Sequence, residues 1–126
     1  MEKVPRTVSM ATSPRVVIIY ELPTGTSAIL EPGILDAYPS DSVVFRNQSR
    51  QPAQLVVAQA GIFAQVPPMV PQDIDAGGDR KFTIDPTAEA GTYQYQVVVT
   101  LASGKPVFAI GASTPRIIIR SSSSGD

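Results

Sequence analysis

The chain has no cysteine and no histidine. The first absence removes disulfides and thiolate chemistry together, although it assigns no compartment, since exported and cytosolic domains alike can lack them. The second removes both the commonest metal ligand and the commonest general base. A Ser, His, Asp triad cannot be assembled, nor a zinc site of the usual His or Cys kinds. The expectation is a protein that is not an enzyme, with no catalytic residues, no cofactor and no metal site.

Charge of one sign is also scarce. Ten Lys and Arg stand against eleven Asp and Glu, a formal charge of −1, with no block of like charge. Nucleic-acid binding relies on clustered cations that displace counterions from phosphates, so no such partner is expected. The same balance argues against an anionic membrane surface. No apolar run approaches the ~20 residues needed to span a bilayer. Val16 to Tyr20 is short and runs into Glu21, and a secretory signal needs a longer apolar core and a small-residue cleavage site. A chain complete as it stands would be expected in the cytoplasm.

What is present points to short strands. With 126 residues, 43% apolar and 17% charged, the chain fits one domain that buries roughly two thirds of its unfolded surface. Twelve Pro and nine Gly leave little room for long helices, because each Pro removes a backbone donor and fixes φ. Residues 1–13 read as a flexible lead-in and 121–126 as a disordered tail. Between them, residues 14–120 carry short apolar runs parted by turn formers, the pattern of an all-β domain.

"RVVIIY" at Arg15 to Tyr20 is β-branched at four consecutive positions, which suits a central strand. Ser27 to Tyr38 reads as a bent strand with "EPG" as its turn, and Val43 to Asn47 alternates so that Val43 and Phe45 share a face. Gln54 to Ala58 and Lys81 to Ile84 read as strands, and Gly61 to Gly78 as a long surface excursion with room for one helical turn. In "GTYQYQVVVTLASG", Gly91 to Gly104, Tyr93, Tyr95, Val97 and Val99 fall on one face and Gln94, Gln96 and Thr100 on the other. Val107 to Ile110 and Arg116 to Arg120 complete the set. "SPRVVII" from Ser13 and "TPRIII" from Thr114 echo one another, as two central strands with the same lead-in chemistry would.

Three stretches carry a family resemblance: "YPSDSVVFRNQS" at Tyr38 to Ser49, "DAGGDRKFTI" at Asp75 to Ile84 and, most closely, "AGTYQYQV" at Ala90 to Val97. From about Ile34 to Arg120 the chain resembles the cupredoxins, the Greek-key β-sandwich family of the blue-copper proteins. The last stretch is similar to the G-T-Y-x-Y-x-C that introduces the copper cysteine. The resemblance implies a cupredoxin-like sandwich and puts Val97 where the thiolate would stand and Thr100 near a histidine. It places the first histidine at about Ala53 or Gln54 and the axial methionine between Leu101 and Gly111. A blue-copper site takes two imidazoles, a thiolate and a weak axial ligand, and none of these donors is there. Blue-copper electron transfer by this chain alone is excluded.

Other constellations have ordinary readings. Asp73, Asp75 and Asp79 match positions one, three and seven of a calcium loop with Gly78 at the sixth, but Ile84 stands where a bidentate Glu belongs. Asp85 and Glu89 read as solvated acids of a turn, and Arg46, Arg50, Arg80, Lys81 and Arg116 as outward positions. The candidate interaction surface is "GIFAQVPPMV", with Ile62, Phe63, Val66, Met69 and Val70. Two readings are open: the loop shows apolar surface to a partner, or it folds back over one end of the sandwich. The expected role is a metal-free binding or assembly module whose partner is a protein or a second copy. The alternative is an accessory subunit or domain of a copper or redox enzyme whose ligands lie on another chain.

Overall fold

The computed structural model describes residues 15–110 and 115–120. The lead-in, the tail and the Ser13, Pro14 and Thr114 of the echo lie outside the described residues. Those described form ten strands and no helix: β1 Arg15–Glu21, β2 Ala28–Glu31, β3 Ile34–Ala37, β4 Ser42–Asn47, β5 Ala53–Val57, β6 Gln72–Ile74, β7 Asp79–Thr83, β8 Gly91–Thr100, β9 Pro106–Ile110 and β10 Arg116–Ile119.

They pack as the two layers of a Greek-key sandwich. One sheet runs β9–β2–β1–β4–β7 and the other β3–β10–β8–β5–β6. Alternation decides which side chains meet between them. Val17, Ile19, Leu30, Val43, Phe45 and Phe82 face inward from the first sheet, and Leu35, Leu55, Val57, Tyr95, Val97, Ile117 and Ile119 from the second. The two echoing segments are both interior strands, β1 between β2 and β4 and β10 between β3 and β8. A strand with neighbours on both edges favours β-branched runs, and this explains the echo without a repeat.

Two segments change sheets. The expected bent strand Ser27 to Tyr38 divides at Pro32, so that β2 pairs with β1 in the first sheet and β3 with β10 in the second. β9 begins opposite β8 and ends opposite β2, closing that side of the sandwich. On the other side β6 and β7 each have one partner strand. The turn between them is pinned by Asn47 N–H donating to Gly78 O at 2.8 Å, and Gly77 supplies its left-handed position at φ 72°.

The segment Gly61 to Gly78 corrects the expected surface excursion. It holds no helical turn, its end forms β6, and its start enters the core. Phe63 bridges to Ile84, with Ala64 N–H donating to Thr83 O and Asp85 N–H to Ile62 O. Pro67 and Pro68 lack the donors a helix would need here.

Candidate functional site

Of the positions that the resemblance assigns to copper ligands, Val97 and Ala53 are packed among alkyl groups, and Thr100 and Gln54 are exposed. Val97 is 0% exposed and pairs with Leu55; Ala53 is 1% exposed and pairs with Val99. Thr100 is exposed, and its N–H donates to Pro52 O at 3.1 Å. Gln54 points outward and donates from Nε2 to Asp73 Oδ1 at 2.9 Å. β8 runs on three residues past Val97 before the tight hairpin Leu101–Lys105, closed by Gly104 N–H to Leu101 O at 2.8 Å and Leu101 N–H to Lys105 O at 2.9 Å. Val97 therefore lies inside a ladder rather than in a loop able to wrap an ion. A cation here would lose its water and meet only alkyl carbon, a cost of many kcal/mol. These residues do not fit copper.

Beside them lies a polar knot to which the sequence reading gave no role. Asn47 is 0% exposed and Ser49 is 4% exposed. Asn47 Nδ2 donates to Gln51 O at 2.8 Å and to Ile74 O at 3.1 Å; its Oδ1 accepts from Ser49 N–H at 3.0 Å and Ser49 Oγ at 2.7 Å. Asn47 thus ties β4 to the next loop and, across the sandwich, to β6. The available signal was Asn followed two residues later by Ser, the spacing of an Asx turn.

The candidate interaction residues divide. Ile62, Phe63 and Val66 are 1%, 2% and 8% exposed, whereas Met69 and Val70 are 66% and 46% exposed. Phe63 belongs to an aromatic cluster, its ring centroid 6.2 Å from Phe45 and 5.4 Å from Phe82, while Phe45 also meets Tyr95 edge-on at 5.7 Å. Ile62, Phe63 and Val66 thus close an end of the core, and only Met69 and Val70 are left facing solvent. Met69 sits at φ 63°, its N–H donating to Val57 O at 2.7 Å. It borders a shallow cavity of about 190 Å³ whose lining includes Val56, Ala58, Gln94 and Gln96.

The titratable groups are engaged separately. Asp79 pairs with Arg46 at 3.1 Å and Asp73 accepts from Gln54, while the Asp75 carbonyl accepts from Gly78 N–H at 2.9 Å. Among the described residues no cluster of three or more His, Cys, Asp or Glu could hold a metal ion. Asp85 accepts from both the hydroxyl and the N–H of Thr87, and these bonds hold its carboxyl below the usual range. Tyr93 Oη donates to Glu89 O at 2.8 Å. Tyr95 is different: burial pushes its phenol far above the ordinary value, and its hydroxyl has no hydrogen-bond partner among the described residues.

No protein-family profile matches this sequence, and neither does any curated protein. Solved structures do match in shape. An oxidised amicyanin variant superposes with a TM-score of 0.51 at 14% identity, covering 85% of this chain and 82% of its own. A second oxidised amicyanin variant gives 0.51 at 15%, with 86% and 83% covered. A purple cupredoxin from Nitrosopumilus maritimus gives 0.51 at 12%, with 84% and 99% covered. At such identities the likeness speaks to fold. The chain has a cupredoxin-like fold, with neither Cys nor His to supply a blue-copper ligand set.

Proposed function

We propose that this domain is a non-catalytic protein-binding or assembly module that uses the cupredoxin scaffold without metal. The observation that carries the reading is Met69, 66% exposed and held at φ 63° beside the 46% exposed Val70. A side chain in the left-handed region costs about 1–2 kcal/mol, and such strain collects at functional positions. Methionine is moreover an adaptable residue at binding surfaces. The partner in this reading is a second copy or another protein, not nucleic acid or a bilayer, in keeping with the balanced charge.

Met69→Asp and Val70→Asp test it, since both side chains are exposed and their replacement leaves the core intact. Light scattering after size exclusion, over a concentration series, measures self-association; affinity capture from source-cell extract measures other partners. The reading expects either form of association in the native protein and its loss in the variants. A native monomer that recovers no partner overturns it, as does association unchanged by both substitutions. Recovery of a copper or redox enzyme subunit would instead favour the accessory role.

A further inference from the structure

Between the free edges of β6 and β7 lies an open cavity of about 390 Å³. Its polar lining is Gln65, Gln72, Arg80, Lys81 and Thr83, and no carboxylate contributes to it. Arg80 is held in place on three sides. Its Nη1 donates to Asp73 O at 2.9 Å, its Nη2 donates to Gln72 Oε1 at 3.1 Å, and its guanidinium carbon lies 5.2 Å from the centroid of the Phe82 ring. All three partners are uncharged. Arg15, Arg46 and Arg120 each have an aspartate, but no carboxylate pairs with Arg80 among the described residues. The nearby acids are turned elsewhere, Asp79 to Arg46 and Asp73 to Gln54.

A backbone donor joins these cations. Ala64 N–H donates to Thr83 O, so the main-chain groups of Thr83 face away from β4. Alternation in an antiparallel ladder turns the N–H of Lys81 to that same free edge. Arg80 and Lys81, successive residues whose side chains leave opposite faces of β7, thus flank one opening at this edge, with the Lys81 N–H, Gln65 and Gln72 beside them.

We propose that this cavity is a binding site for an oxyanion, a carboxylate or phosphate group, with Arg80 as its planar recognition element and Lys81 as the second cation. A guanidinium already oriented loses little freedom on binding, and its geometry suits bidentate oxygen pairs. The group could belong to a free small molecule or to an acidic side chain of a partner. The site does not depend on the Met69 surface.

The test is an amide NMR titration at constant ionic strength with two probes, inorganic phosphate and a Glu-containing hexapeptide. The expected result is saturable shifts at Lys81 N–H, the Gln65 amide and Arg80 Nε–H, with a Kd of about 1 mM. Arg80→Gln should abolish saturation and Lys81→Gln should weaken binding at least about threefold. Arg46→Gln, at a paired arginine, should leave it unchanged. Lys81→Gln disturbs neither Phe82 nor β6, so it remains informative if Arg80→Gln folds poorly. Saturation with phosphate supports a free anion as the source, and saturation with the peptide alone supports a partner's side chain. Non-saturating shifts with both probes, or equal saturation in native protein and both β7 variants, overturns the site. Either outcome leaves the Met69 reading to stand or fall on its own association assay.

Discussion

Asn47 offers the sharpest test of how the loops around Val97 and Ala53 are held. Its amide makes four hydrogen bonds at 0% exposure, and Asn47→Ala removes them all. Some partners keep other bonds, since the Gln51 carbonyl still accepts from Ser49 Oγ at 2.9 Å. At about 1 kcal/mol for each net neutral bond, with a further penalty for stranded groups, the loss comes to about 3–5 kcal/mol. That is a large share of the total stability, which is roughly 6–19 kcal/mol at this length. Asn47→Asp is nearly isosteric but directs an acceptor at the carbonyls of Gln51 and Ile74. The new carboxyl should have a folded pKa above the unfolded value of about 3.9. A raised folded pKa means that stability is retained below the unfolded pKa and is lost as pH rises through the folded one. Urea unfolding followed by circular dichroism at pH 4 and pH 7.5 measures both effects. The expected result is a deficit for Asn47→Asp that grows with pH relative to the native protein. Asn47→Ala within about 0.5 kcal/mol of native, the range of ordinary surface changes, would refute the reasoning, as would a deficit for Asn47→Asp independent of pH.

Tyr95→Phe should stabilise the protein by about 1 kcal/mol, because it removes a buried hydroxyl without a partner and keeps the ring packed on Phe45. At this chain length that raises Tm by about 4 °C in a calorimetric scan, and a fall in Tm would contradict the unsatisfied reading. Phe63→Ala should cost about 3–5 kcal/mol in denaturant titration, since its buried ring packs against both Phe45 and Phe82. Met69→Ala should change stability by less than about 0.5 kcal/mol. Equal costs at the two positions would mean that the loop does not divide into a core half and a surface half.

Strands were readable where alternation is regular. In β8, Tyr95, Val97 and Val99 are buried and Gln94, Gln96 and Thr100 exposed, as the sequence period requires. The Gly61 to Gly78 segment was harder, because a chain that plugs the end of a sandwich needs apolar groups at positions set by the cavity beneath it. Ile62, Phe63 and Val66 obey no period for that reason. β6 was hidden because only its three residues Gln72–Ile74 pair, and they follow a Pro-rich turn. The Arg80 cavity was invisible for a different cause. Arg80 and Lys81 read as two among several scattered outward charges, and only the approach of β6 supplies Gln72 and the Asp73 carbonyl. Asn47 appeared as the end of a strand because its side-chain partners Ser49, Gln51 and Ile74 lie outside β4, in the next loop and in β6.

The central claim is that Ala53, Leu55, Val97 and Val99 form alkyl packing that offers no metal ligand within a cupredoxin-like fold. Calorimetric titration of EDTA-treated protein with copper(II), paired with melting in its presence and absence, tests this most directly. The account predicts no stoichiometric uptake and an unchanged Tm. One equivalent of copper bound, with the rise of about 10 °C that a site occupied at 100 times its Kd would give, would contradict it.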